Sequence, residues 1–113
     1  MRIAILTNEY PPNVYGGAGV HVEFLSRELA QLMDVEVRCF GRDRPGALAF
    51  RPWDAVKPGG GALETLSVDL AMAAEVDAAV AHSHTWYANM AGHLAKLLYD
   101  VPHVMTSHST FSR

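Results

Sequence analysis

Several common chemistries are excluded by what this sequence has little of. It carries a single cysteine, Cys39, so no internal disulfide can form. Set among alternating apolar residues, Cys39 reads as a buried reduced thiol rather than a nucleophile. The N-terminal apolar run, Ile3 to Leu6, is too short for a signal-peptide core and far too short to span a bilayer, so no membrane span is expected and the cytoplasm is the default compartment. Neither sign of charge dominates: 9 basic against 12 acidic residues leave a net charge of −3. That balance argues against a nucleic-acid binder, which needs a clustered basic face. A Walker loop, a nucleophile elbow and a pair of catalytic carboxylates are all missing. The dinucleotide fingerprint G-x-G-x-x-G fails as well, because Val22 stands where its last glycine would be.

What is present is the make-up of one small globular domain: 113 residues, 50% hydrophobic and 19% charged. Ile3-Ala4-Ile5-Leu6 reads as a strand buried on both faces. Residues 8–18, with Pro11, Pro12, Gly16 and Gly17, read as a loop, and Gly19 to Met33 as a helix with Val22, Leu25, Leu29, Leu32 and Met33 inward. Val35, Val37 and Cys39 alternate with Glu36 and Arg38, which predicts a second strand with one wetter face. Residues 41–61 are rich in Gly and Pro and read as a long loop, with Ala47 to Arg51 a candidate short strand. Leu63, Leu66, Leu70, Ala73 and Ala74 mark a second helix. Asp77 to His82 reads as a third main strand and Trp86 to Tyr99 as a third helix, capped by Thr85 and packed through Tyr87, Ala91, Leu94, Ala95 and Leu98. Val101 to Ser107 completes the series as a strand.

Strands and helices alternating in this way predict an α/β fold, a Rossmann-like three-layer αβα arrangement with a parallel sheet. Right-handed crossovers place the first strand centrally, the second on one side, and the two later strands on the other. Ligands in such sheets bind where the winding reverses, beyond the carboxyl ends of the strands. Loop 8–18, the His82-Ser83-His84 end and the Thr106-Ser107-His108 end all meet there. Gly16-Gly17-Ala18-Gly19 suits either an anion contact at a helix N-terminus or a plain tight turn. His84 at the strand end is a candidate substrate contact, whereas His82 reads as hydrogen-bonded within the core. His21, His93 and His103 read as surface or packing residues. Zinc held by His82, His84 and His108 is disfavoured, since no cysteine or placed carboxylate assists, and no metal is expected. Trp86 and Tyr87 open the third helix beside this site and suit either sugar stacking or packing against the sheet; Tyr87 fits the core stripe, so of the two Trp86 is the candidate sugar contact.

Glu9-Tyr10-Pro11-Pro12 running into Val14-Tyr15-Gly16-Gly17-Ala18-Gly19, then His82-Ser83-His84-Thr85-Trp86, then Thr106-Ser107-His108-Ser109, resemble the N-terminal domain of family 4 GT-B glycosyltransferases, in particular their actinobacterial glycogen-synthase members. The resemblance spans the whole chain, with the motifs in the right order and separation. It implies an acceptor-side Rossmann-like domain facing a second domain that holds a nucleotide sugar. The implied reaction is transfer of glucose from ADP-glucose or UDP-glucose, with retention, to an α-1,4-glucan or glucose 1-phosphate, with no cofactor beyond the sugar nucleotide. By motif, Gly16 and Gly17 lie near the donor diphosphate, and Tyr15, His84, Trp86 and His108 line the sugar and acceptor side. The implied partners are the sugar nucleotide, the acceptor and the enzyme's own C-terminal domain.

Two departures accompany the resemblance. Starch-synthase-type relatives have a lysine two residues before the glycine pair, where this chain has Val14. Thr110-Phe111-Ser112-Arg113 also differs from the Glu-Pro-rich continuation such enzymes show. The resemblance therefore implies that the rest of this domain and the nucleotide-sugar domain lie outside the 113 residues, which alone are expected to be inactive and prone to self-association through a strand face left uncovered at Val104 and Thr106, or at Met105. Two rival readings stay open on the residues alone. One is a non-catalytic sugar- or phosphate-binding module. The other is a dinucleotide-binding Rossmann domain in which Arg42 or Arg44 meets a 2′-phosphate.

Overall fold

Ile3 to Leu6 offer no face suited to water, and the chain encloses them between two parallel neighbours. The computed structural model describes residues 1–12 and 17–106, the side chains of Ala18 and Trp86 excepted. β1 (Arg2–Thr7) pairs on one side with β2 (Asp34–Phe40) and on the other with β4 (Val80–His84). β3 (Leu48–Phe50) extends the β2 side and β5 (His103–Thr106) the β4 side, giving the order β3-β2-β1-β4-β5 with every pairing parallel. Three helices connect them: α1 (Gly17–Leu29), α2 (Gly61–Ala73) and α3 (Thr85–Tyr99). The result is the expected Rossmann-like three-layer αβα domain, with the short strand at 48–50 added on its outer edge.

The layers are unequal. On one face α1 packs alone, through Val22 against Ile5 and Val37, with Tyr10, Leu29 and Val35 around them. On the other face α2 and α3 lie side by side over Ala4, Leu6 and Ala81. That alternation follows from the period-2 pleat: Ile5 and Leu6 serve opposite cores. Among the described residues no helix is long and apolar enough to cross a membrane.

Several expected details are corrected. α1 begins two residues before Gly19 and ends at Leu29 rather than Met33; the backbone then turns, with the N–H groups of Leu32 and Met33 both on the Leu29 carbonyl, and Leu32 is exposed. The leucine stripe of α2 does not face the core. Leu63, Leu66 and Leu70 are exposed, while Ser67, Val68, Asp69, Met72 and Ala73 are buried. In α3 the inner row is Ala88, Ala91 and Ala95, and Tyr87 and Leu98 are exposed. Small residues let α3 approach the sheet closely, which bulky side chains at those positions would prevent. β4 starts later than expected, at Val80, and reaches His84. The Gly- and Pro-rich segment is not wholly loop: besides β3 it contains a 3-10 turn at Asp54–Gly59.

The wetter face expected of β2 is not wet at Arg38, which is only 6% exposed beneath α2. Its guanidinium donates to the carbonyls of Met72 (2.9 Å), Ala74 (2.7 Å) and Glu75 (3.2 Å), and its Nε to Glu36 (2.7 Å). The last carbonyls of a helix lack intrahelical donors, so Arg38 supplies them and fixes where the chain leaves α2 for β4. Cys39 is buried and free, and burial pushes its thiol pKa up, consistent with a packing role.

Candidate functional site

β1 is the first strand to be wound in both directions, so its carboxyl end opens the crevice between the α1 side and the α3 side. Thr7 ends β1 and pairs in register with His84, which in turn pairs with Thr106. The chain leaving β1 is anchored on both sides. Thr7 Oγ1 donates to the Glu9 carbonyl at 2.8 Å. Tyr10 reaches α1, its hydroxyl 3.4 Å from Ser26 Oγ, which itself donates to the Glu23 carbonyl. Arg44 closes the other side, donating to the carbonyls of Tyr10 (2.7 Å), Pro11 (3.3 Å), Phe40 (3.3 Å) and Arg42 (2.8 Å).

That stem delivers the chain to the N-terminus of α1 at Gly17, which is exposed. The first N–H groups of α1 have no intrahelical acceptor and point toward the crevice end of the helix, where the partial positive charge of the macrodipole lies. A Cβ at Gly17 would meet nothing within 4 Å among the described residues, so their packing does not demand glycine there. Gly16 and Tyr15 lie outside the described residues, as does His108; Trp86 sits in the first turn of α3, and its side chain is likewise outside them.

On the α1 face of β4, His82 and His84 stack with ring centroids 4.1 Å apart, and His21 of α1 follows at 5.8 Å from His84. His84 has no solvent exposure, so a ligand reaches its ring only by opening a neighbouring contact. His82 Nε2 bonds Thr106 Oγ1 at 2.7 Å, which matches the structural role expected of it. The opposite face of β4 carries a separate lock. Ser83 Oγ donates to Asn89 Oδ1 at 2.7 Å, so it must accept from His103 Nε2, also at 2.7 Å. Burial, with help from the nearby His93 and Lys96, holds the His103 pKa below its ordinary value. This ring fits only because residue 92 is glycine: a Cβ there would overlap the His103 imidazole.

Thr85, expected to cap α3, does not. His84 holds the N-cap position without a side-chain cap bond, and Thr85 is the first helical residue, at a left-handed φ of 69°. Its Oγ1 is buried with no hydrogen-bond partner among the described residues. A β-branched residue in that region is strained, and strain together with an unpaired hydroxyl at a crevice is where ligand contacts are found. Nothing in the one-dimensional pattern distinguishes this threonine from an ordinary cap. Arg44 also bears on the dinucleotide reading: four of its five N–H donors are on backbone carbonyls, so it does not stand ready for a 2′-phosphate. Among the described residues no group of three His, Cys, Asp or Glu side chains is arranged to hold a metal.

Comparison with known proteins identifies the family. Residues 15–113 match the family model described as Glycosyltransferase Family 4. The chain is 58% identical over 110 residues to alpha-maltose-1-phosphate synthase of Mycobacterium tuberculosis, covering 96% of this chain and 28% of that protein. It is 54% identical, with the same coverage, to the protein of that name from Mycolicibacterium smegmatis. An uncharacterized glycosyltransferase of Methanocaldococcus jannaschii is 28% identical over 127 residues, covering 97% of this chain and 31% of the other. The chain thus spans little more than a quarter of the length of these relatives.

Proposed function

The chain belongs to glycosyltransferase family 4, and we propose on that footing that it is the acceptor-side domain of a two-domain GT-B enzyme that transfers glucose from ADP-glucose or UDP-glucose, with retention, to glucose 1-phosphate or an α-1,4-glucan. One observation carries the reading beyond the family. The exposed N-terminus of α1 at Gly17, the strained Thr85 and the His84 strand end all lie at the carboxyl end of the central strands, where the winding reverses. A diphosphate is suited to the first, and a sugar hydroxyl to the second.

In this proposal the helix N-terminus stabilises charge developing on the departing diphosphate, through N–H groups already oriented before the reaction begins. Gly16 and Gly17 lie on the donor side. Tyr15, His84, Trp86 and His108 lie on the sugar and acceptor side. Neither histidine is assigned as a general base; their work is to position the two sugars, and orientation alone supplies a large part of such a rate enhancement. Partnering groups for the far side of the diphosphate come from the second domain that the resemblance implies. The cytoplasm, where sugar nucleotides are made, is the proposed compartment, and no resident cofactor or metal is required.

The test is direct. The intact polypeptide is incubated with radiolabelled ADP-glucose or UDP-glucose and with glucose 1-phosphate or glycogen, and the anomeric configuration of product is read by NMR. The expected outcome is an α-linked product with one donor strongly preferred, reduced about a hundredfold or more in His84→Ala. No labelled product from any donor and acceptor pair, or inversion at the anomeric carbon, refutes the reading.

A further inference from the structure

A second cavity lies away from this crevice, on the opposite face of the sheet from α1. It has a volume of about 570 Å³ and opens between α2 and α3, lined by Ala62, Thr65, Leu66, Asp69, Tyr87 and Met90 with Gly61 at one end. The leucine stripe that does not serve the core faces this side: Leu66 is 44% exposed, as is Met90, and Tyr87 is 40% exposed. Asp69 is the opposite case, an acid with 2% exposure in an otherwise apolar lining. Its Oδ1 has no hydrogen-bond partner among the described residues, and no Lys, Arg or His lines the cavity. Isolated carboxylates are costly to bury and in proteins are normally paired, so this one is unfinished.

We propose that this pocket binds an organic ammonium group carried on an apolar stem, with the cation seated on Asp69 and the stem lying against Leu66, Tyr87 and Met90. Three features select that chemistry. The unsatisfied group is an acceptor of negative charge, so a cationic donor gains most from it. The walls are aliphatic and aromatic, which favours an apolar body and places an aromatic ring near the cation. Among the described residues no cation competes for the carboxylate. A metal ion is served poorly, because the lining offers one carboxylate and one threonine hydroxyl where hard cations take six or more oxygens. A sugar is served poorly too, because most of its hydroxyls would face hydrocarbon. The site is separate from the transfer reaction, and its test needs no sugar donor, so the failure of one reading does not touch the other.

The probes are n-hexylammonium and the isosteric neutral 1-hexanol, titrated into the intact protein by calorimetry, with the Met90 methyl resonance as a local reporter. Hexylammonium should bind saturably at pH 8, with hexanol weaker by about tenfold or more. Burial pushes the Asp69 pKa up to about 7, and no neighbouring charge contributes to that shift; among the described residues Tyr87 is the only other titratable group in the lining. The ionised acid attracts the cation most strongly, so affinity should fall about tenfold between pH 8 and pH 5.5 as Asp69 takes up its proton. Asp69→Asn should weaken hexylammonium by about tenfold or more and leave hexanol unchanged. Ala62→Trp, which fills the mouth of the cavity and keeps the acid, should weaken both probes. Equal affinity for the two probes, undiminished hexylammonium binding in Asp69→Asn, or no saturable binding at pH 8 overturns the proposal.

Discussion

Gly17 offers the sharpest separation of fold from function. A glycine at the start of a helix is often explained by local crowding, but a Cβ there would meet nothing within 4 Å among the described residues. The residue is exposed and heads a 13-residue helix. Gly17→Ala should therefore leave stability unchanged or raise it by about 0.5 kcal/mol, since alanine is the better helix former and the first turn feels only part of that preference. Gly17→Val should fold as well, with a small propensity loss. If backbone N–H groups at this end bind the donor diphosphate, the added carbons intrude on the phosphate instead. Displacement of a reacting group by about 1 Å costs on the order of a hundredfold in rate, so valine should lower kcat/KM for the sugar nucleotide by about 30–100-fold, equivalent to about 2–3 kcal/mol of transition-state stabilisation. Alanine should fall between valine and the parent. Initial rates of labelled sugar transfer by the intact polypeptide, measured across donor concentrations beside urea unfolding of each variant, separate the two effects. Stable variants with kcat/KM within about twofold of the parent would remove Gly17 from the donor site. Variants that unfold would instead refute the reading of open space around it.

Asp69→Asn should stabilise the protein by about 2–4 kcal/mol at pH 8. The folded acid titrates near 7 and the unfolded one near 4, so the wild type binds more protons when folded and regains stability as pH falls through that window. The advantage of the variant should fade toward pH 4 in parallel urea titrations, and a difference independent of pH would contradict the linkage. Arg38→Met should cost about 3–5 kcal/mol in urea unfolding, because three carbonyls lose a charged donor and Glu36 loses its buried partner. A loss below about 1 kcal/mol would mean that water replaces those bonds freely. Thr85→Gly should raise stability by about 1 kcal/mol by relieving the left-handed β-branched backbone and removing a buried unpaired hydroxyl, while lowering transfer activity. A destabilised Thr85→Gly would show that its hydroxyl has a structural partner.

Strand positions were the most legible features of the sequence. A continuous run such as Ile3 to Leu6 has only one comfortable location, between two covered faces, and the alternation at Val35, Val37 and Cys39 does place those residues under α1. Helix faces were harder. Periodicity reveals that Leu63, Leu66 and Leu70 share a side of α2 but not which side meets the sheet, and the sheet is met by Val68, Met72 and Ala73 instead. In α3 the alanines look weakly apolar beside Tyr87 and Leu98, yet close approach favours the small residues. Long-range polar contacts were not legible at all. Arg38 reads as a surface charge until the carbonyls of residues 72, 74 and 75 are brought to it from across the domain. At the site, the strand-end position of His84 could be read from the sequence, whereas its complete burial and the strain at Thr85 could not. Tyr15, Gly16 and His108, named by motif, lie outside the described residues.

The position of β1 has a consequence in time as well as space. Of the five described strands this one leaves the ribosome first, yet it is the middle of the sheet they form. It can pair early with β2, but its other edge waits until Val80 to His84 have been synthesised and α2 has carried them back across the sheet. Until then Ala4 and Leu6 lack the alanine-rich cover that α3 provides, and an open apolar edge is a template for pairing with the wrong chain. Closing so long a loop before its contacts repay the entropy makes the β1–β4 pairing the slow and decisive event. A nascent chain arrested before β4 should consequently be held by chaperones, and one arrested well beyond α3 should be released from them.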